Sequence, residues 1–393
     1  MGASWRDHPS FELVDAASEL TGRDVAGLLT EADQETLTRT DNSQLATFVL
    51  SLVVLDAAER LGLEPGMCAG HSLGEYTALV AAGTIDLESG LYLVAERGAA
   101  MQHAAEQVRG TMAAVLGLDD DAAEAACLRA EGEAWVANYN AAGQVVIAGS
   151  EEAVLEAGKI AKELGAKKVL PLPVGGAFHT PLMAPARDRL RKALGDVSFR
   201  RPEPPVVANV DARVHTADSE WAGLLSAQLC SPVRWRQSVE TLVSEGAQTV
   251  VELGPGGVLT GLARRMLPAE AAALSVSNPD ELHRLVDVLA GREGSHAHEH
   301  RSGERFHMAE RLVLSPAAGL FEPEPQLAGL TPGNAVRGHA VTVAVGDLVG
   351  KVGSTDIRSP FAGSVEGVLV LPGERVSSGQ PVAWLRASED GPV

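Results

Sequence analysis

The chain has 393 residues, with 32 Lys and Arg against 52 Asp and Glu, a formal charge of −20 at pH 7. That balance argues against a nucleic acid-binding surface and against docking on anionic lipid. The 45% apolar content excludes a largely disordered chain. The longest apolar stretch, Leu45 to Leu55, is interrupted by Thr47 and Ser51 and falls short of the about 18 residues a membrane span needs. No leader pattern opens the chain. Cys68, Cys127 and Cys230 are too scattered for a disulfide framework or a zinc site. The expectation is a soluble, cytoplasmic globular protein with no metal.

In chain order, the pattern predicts a helix over Asn42–Leu61, a strand entry at Pro65–Ala69, and helices over Thr77–Ala82 and Leu87–Val108. Short β-like runs follow at Thr111–Leu116, Trp135–Asn140 and Val145–Ala148, then a helix over Glu151–Leu164 and a strand at Lys168–Leu172. Val206–Asn209 and Thr249–Leu253 are further β-branched runs. This alternation predicts an α/β architecture with a mainly parallel sheet, and Gly110–Val174 reads as a small inserted subdomain of β-β-α-β texture. Gly291 to about His307 has the composition of a solvated tether; its His296, His298 and His300 lack the partners that would complete a metal site.

Beyond the tether, Leu312–Leu385 carries short β-branched runs between Gly and Pro. It contains an internal echo, Ser315-Pro-Ala-Ala-Gly319 and Ser359-Pro-Phe-Ala-Gly363. The two copies are followed by Pro332-Gly333 with Val336 and Gly338, and by Pro372-Gly373 with Val376 and Gly379. Two similar halves packed as one β-sandwich or flattened barrel are expected.

The sharpest chemical signal is Gly70-His-Ser-Leu-Gly74, a Gly-x-Ser-x-Gly at a strand-to-helix junction. The tight turn requires strained backbone at Ser72, for which the flanking glycines leave room. The following helix places free N–H groups and a positive dipole end beside the hydroxyl, where an oxyanion would form. A serine nucleophile needs a base. Of His8, His71, His103, His179, His215 and His283, His179 stands out, in a loop set by Gly175, Gly176 and Pro181. Arg97 lies on an apolar helical face with Leu93, Val94, Ala100 and Met101, either snorkelling, in an internal ion pair, or clamping a substrate carboxylate.

Taken together, Gly70-His-Ser-Leu-Gly-Glu-Tyr76, Val94-Ala-Glu-Arg-Gly98, Asn138–Gly149, Ala177-Phe-His179, Val207–Asp211, Gln228-Leu229, Pro232–Trp235 and Glu252–Gly261 resemble the malonyl-CoA:acyl carrier protein transacylases over about Gly2–Ala290. The resemblance implies an α/β-hydrolase-like large domain with a ferredoxin-like subdomain at about 110–174. It implies Ser72 as nucleophile, His179 as base and acid, and the Gln228 carbonyl orienting that histidine. Asn209 would support the site, Leu73 would supply an oxyanion N–H, Arg97 would pair with the malonyl carboxylate, and Gln44 would line the site. Leu73 and Phe178 resemble the malonyl-selective members. The substrates implied are coenzyme A thioesters and acyl carrier protein, with no bound cofactor and ping-pong kinetics. Arg187, Arg189, Arg191, Lys192, Arg200 and Arg201 are a candidate basic patch for an acidic carrier, or a solvated helix face. The family's opening strand and its Gly-Gln-Gly-Ser-Gln loop, which carries the second oxyanion donor, have no counterpart before Met1-Gly-Ala-Ser-Trp5. The expectation is that Met1 is a misassigned start. A serine hydrolase on the same elbow, or a non-catalytic scaffold, is the alternative.

The C-terminal repeat resembles biotinyl/lipoyl-attachment domains, through Ile357–Val365, Pro372–Val376 and Gly379–Leu385. That family attaches its cofactor to a hairpin lysine. Counting back from Gly363 puts the position on Val352, beside Lys351, and the Glu-Ala-Met context is absent, so a cofactor-free all-β barrel is expected. The chain then divides into a transacylase domain over 1–290, a linker over 291–310 and the barrel over 311–387.

Overall fold

The computed structural model describes residues 1–296, 310–327, 341–359 and 362–387. They fall into two units, Met1–Ser295 and His296–Val393.

The first unit opens with three short helices, α1 (Glu12–Thr21), α2 (Val25–Thr30) and α3 (Gln34–Thr38), packed around α4 (Thr40–Glu59). Helix α4 is buried on nearly every side from Leu45 to Ala58, which places it at the centre of the core. Next come β1 (Cys68–Ala69), α5 (Gly74–Ala81) and α6 (Leu87–Gln107). Helix α6 begins where its sequence says it should: the Asp86 carboxylate caps it by accepting the Ser89 N–H at 2.8 Å. It packs along α4, so Gln44 and Arg97 meet across that seam.

From Thr111 the chain forms β2 (Thr111–Leu116), α7 (Asp120–Arg129), β3 (Ala134–Ala141), β4 (Gln144–Gly149), α8 (Glu151–Glu163) and β5 (Lys168–Pro171). The sheet order is β3-β4-β2-β5, all antiparallel. This is a split β-α-β with two helices on one sheet, around its own core of Val115, Ala126, Val145, Ile147 and Ala157. The expected β-β-α-β pattern does not contain α7. Its signal was present: Asp119 caps it by accepting the Ala122 N–H, and an Ala-rich run follows.

The remainder comprises α9 (Ala184–Gly195), β6 (Val206–Val207), β7 (Val214–His215), α10 (Trp221–Gln228), α11 (Trp235–Ser244), β8 (Thr249–Leu253), α12 (Val258–Ala263), β9 (Ala272–Val276) and α13 (Pro279–His296). The parallel pairing expected as one sheet is divided. Strand β1 pairs with β6 in one sheet, β6 continues antiparallel to β7, and β8 pairs with β9 in another. Helix α13 runs through His296, so the first residues read as tether are helical. The segment around His298 and His300 lies outside the described residues, as does Pro332–Gly338.

The second unit has β10 (Glu310–Leu314), β11 (Gly319–Pro323), β12 (Val341–Val343), β13 (Leu348–Val352), β14 (Thr355–Arg358), β15 (Gly363–Val368), β16 (Arg375–Val376) and β17 (Pro381–Ala387). These form two four-stranded antiparallel sheets, β10-β17-β15-β12 and β14-β13-β11-β16, over a core that includes Val313, Phe321, Val349, Ile357 and Leu385. The described strands close no barrel. The sequence echo has a structural counterpart: Gly319 and Gly363 each open a strand, one per sheet, and Ser315 and Ser359 are both buried. Lys351 lies within β13, its amine 3.8 Å from Asp356 on β14, while Val352 is buried beside the Gly353-Ser354 turn.

Candidate active site

Ser72 follows β1 and precedes α5, with φ of +52°, a left-handed conformation that side chains disfavour. Two features hold it there. A Cβ on Gly70 would lie 1.9 Å from the Gly74 carbonyl oxygen, so only glycine permits the crossing. Asn209, just past β6, accepts the Ser72 N–H at 2.7 Å and donates its own amide to the Gly70 carbonyl at 2.7 Å. The second glycine of the motif is not a steric necessity, because a Cβ on Gly74 would meet open space.

The Ser72 hydroxyl donates to Nε2 of His179 at 2.7 Å. His179 also has a left-handed φ, +61°, and is buried. Its Nδ1 lies 2.9 Å from the backbone carbonyl of Gln228, at the end of α10. A carbonyl can only accept, so Nδ1 carries the proton and Nε2 presents its lone pair to the serine. No carboxylate occupies the third position. Burial and the neighbouring Arg97 charge push His179 down to about 3, so the ring is a neutral base at any ordinary pH.

Arg97 is 1% exposed, and its contacts are neutral oxygens. Nη1 donates to Gln44 Oε1 at 2.5 Å, and Nη2 to Gln228 Oε1 at 2.9 Å and to Ser72 Oγ at 3.0 Å. Its Nε has no hydrogen-bond partner, and the Tyr76 ring lies 5.5 Å from the guanidinium. It is a buried cation with no anion in contact, and it touches the nucleophile itself, an arrangement with the chemistry to accept a carboxylate. The snorkelling reading is overturned, since the head group is as buried as the stem.

The Leu73 N–H has no acceptor among the described residues, and it sits at the start of α5 beside Ser72. Thus Ser72, Leu73, Gln44, Arg97, His179, Asn209 and Gln228 converge on one site, while Lys351 belongs to the other unit. A cavity of about 300 Å³, lined by Trp135, Tyr139, His179, Pro181, Cys230 and Pro232, reaches His179 from the β3 side. A larger one of about 690 Å³, around Met1, Pro255 and Asp280, does not include any of these residues.

Sequence reasoning passed over two groups. His71 contacts Asn140 of β3 at 2.9 Å and tilts against Trp235, tying the elbow to the small subdomain. Glu75, in the first turn of α5, is fully buried behind the site. A carboxylate three residues after the nucleophile, in an otherwise apolar helix, was its visible signal. Half of the expected basic patch is compensated: Arg187 pairs with Asp188, Arg189 with Glu96 and Arg200 with Asp86. Among the described residues, no helix is long and apolar enough to cross a membrane.

A family model described as an acyl transferase domain matches residues 12–297. Over 280 residues the chain is 38% identical to a malonyl CoA-acyl carrier protein transacylase of Bacillus subtilis, covering 70% of this chain and 88% of that protein. It is 42% identical over 275 residues to the protein of that name in Escherichia coli K12, covering 69% and 89%. An acyl carrier protein S-malonyltransferase structure from Vibrio cholerae superposes with a TM-score of 0.69 at 40% identity, covering 72% of this chain and 94% of that one. A malonyl-transacylase structure in complex with a type II PKS acyl-carrier protein gives 0.69 at 36% identity, covering 71% and 91%.

Proposed function

The chain belongs to the malonyl-CoA:acyl carrier protein transacylase family, and from that premise we propose that Ser72 and His179 carry the malonyl group between its two thiols. The protein is an acyltransferase, with malonyl-CoA as donor and acyl carrier protein as acceptor. The observation that carries the residue assignment is the Ser72 hydroxyl, 2.7 Å from His179 Nε2 and 3.0 Å from Arg97 Nη2.

His179 Nε2 takes the hydroxyl proton as Oγ attacks the thioester carbonyl. The oxyanion is received by the Leu73 N–H at the positive end of α5. Collapse expels coenzyme A, whose sulfur takes the proton from Nε2, and a seryl ester remains. The phosphopantetheine thiol of the carrier then gives its proton to Nε2 and attacks the ester, and Ser72 Oγ leaves with that proton. Through both steps the malonyl carboxylate rests on Arg97, drawing the guanidinium off Oγ and offsetting the charge that disfavours a protonated His179. An acetyl group leaves that cation unpaired, which is the basis for selectivity. The cavity beside His179 suits the pantetheine arm.

The second unit is read as a biotinyl/lipoyl-like module without an attached group; the paired glycines and serines of its two halves support this, as do the ion pair of Lys351 and the burial of Val352. A cytoplasmic location accords with three free cysteines. The test is the intact mass of the chain after malonyl-CoA, with Ser72→Ala alongside. One malonyl adduct, absent from the variant and discharged by acyl carrier protein, is expected. An adduct that persists in Ser72→Ala refutes the assignment, and release of free malonate without the carrier would make the protein a hydrolase.

A further inference from the structure

We propose that Glu75 is a positioning residue that locks the Gln228 side chain in the one orientation that presents an acceptor to Arg97, and so sets the preference for an acyl group bearing a carboxylate. This rests on the reading of Arg97 as the malonyl clamp.

Glu75 is 0% exposed, in the first turn of α5, and makes no ion pair within hydrogen-bond reach. Both its oxygens accept: one from the Asn209 backbone N–H at 2.7 Å, the other from the Gln228 side-chain amide. That amide also donates to the Ser72 carbonyl at 2.8 Å, leaving Gln228 Oε1 to accept from Arg97 Nη2 at 2.9 Å. Gln228 therefore sits between a group that can only accept and a group that can only donate. An amide between such neighbours has one allowed orientation. Without the carboxylate the NH2 loses one of its two acceptors, and only the Ser72 carbonyl and the guanidinium itself oppose the flip that would turn it toward Arg97.

The isosteric substitution Glu75→Gln exposes this logic. The new side chain would offer one oxygen and one NH2 to two donors, so one contact must become donor against donor. Relief at Gln228 needs only rotation about a terminal side-chain bond, whereas relief at Asn209 needs backbone movement. A full flip trades that contact for NH2 against Arg97 and Oε1 against the Ser72 carbonyl; short of it, rotation away from the new NH2 draws Oε1 off its 2.9 Å bond to Arg97, so either response weakens the acceptor presented to the guanidinium. Protonated Glu75 has the same defect, since its O–H faces a donor. Burial raises Glu75 to about 7 against the opposing pull of its two hydrogen bonds and Arg97, so the switch falls within the working pH range. The charged and titratable groups facing it are Arg97 on α6, Asp211 beyond β6 and Tyr76 on its own helix; around Ser72, burial pushes both His71 and His179 down from the ordinary histidine value.

The experiment measures Ser72 acylation by malonyl-CoA and by acetyl-CoA and follows the ratio of kcat/KM, in which titrations of coenzyme A and of the shared dyad cancel. Glu75→Gln is expected to lower the malonyl-to-acetyl ratio by about 10- to 100-fold, the scale of one hydrogen bond to a charged group. In the unaltered protein the ratio is expected to fall as pH drops through about 7, and that dependence should vanish in the variant. An unchanged ratio, or a parallel loss on both substrates, overturns the proposal. Arg97→Ala separates the two readings. If it leaves the ratio intact, the clamp itself is wrong; if it collapses the ratio while Glu75→Gln does not, only the role of Glu75 fails. Should Glu75→Gln not fold, the pH arm decides: a ratio flat from about pH 8.5 to about pH 6 refutes the lock.

Discussion

Replacing Asn209 by Ala removes the brace behind the nucleophile without touching substrate. The side chain accepts the Ser72 N–H and donates to the Gly70 carbonyl, each at 2.7 Å. Losing it strands two polar groups at about 1–3 kcal/mol each. Part of that returns as relief of the left-handed Ser72 conformation, worth about 1–3 kcal/mol. At the middle of both ranges the net destabilisation is about 2 kcal/mol, small enough for the protein to fold. Catalysis should suffer more. Once Ser72 relaxes toward negative φ, its hydroxyl leaves the 2.7 Å contact with His179, and a displacement of about 1 Å costs about 100-fold. The assay pairs urea denaturation with rapid-quench measurement of malonyl loading on Ser72. If Asn209→Ala loads within about threefold of the parent while losing stability, the strain at Ser72 is not held by this residue and the reasoning fails.

The remaining predictions use the same geometry. Arg97→Ala should lower kcat/KM for malonyl-CoA by about 2–5 kcal/mol, the cost of truncating one partner of a buried charge pair, measured as loading rates against acetyl-CoA. Because His179 is pushed down to about 3, the neutral base persists above that value and is lost only as pH falls through it. Modification of Ser72 by an uncharged sulfonyl fluoride should therefore be flat from about pH 8 to about pH 5, where an ordinary histidine would fail below about 6.5; an inflection near that value would refute the buried-base account. Gly70→Ala should abolish loading, since its Cβ would overlap the Gly74 backbone, whereas Gly74→Ala should leave the urea midpoint unchanged or raise stability by up to about 1 kcal/mol.

What the sequence determined by itself was local. Gly70, Ser72 and the apolar start of α5 lie within a few residues, so strain, dipole and nucleophile could be read from spacing alone. Asp86 announced α6, and helical periodicity put Arg97 on an apolar face. The repeat around Gly319 and Gly363 forecast two similar halves. Periodicity could not say what covered the face bearing Arg97, so a snorkelling residue and a clamp looked alike. The subdomain's helix α7 was overlooked although its cap and alanines were legible.

Tertiary structure decided everything that joins distant parts of the chain. It brought His179 to Ser72 across 107 residues, Gln228 to Glu75 across 153 and Asn209 to Ser72 across 137. It divided the parallel strands between two sheets and buried the Arg97 guanidinium among neutral oxygens. Hydrogen-bond direction and burial belong to pairs of groups, and a sequence states only which groups exist. That is why a carboxylate as plain in the chain as Glu75 acquired a role only when its two donors came into view.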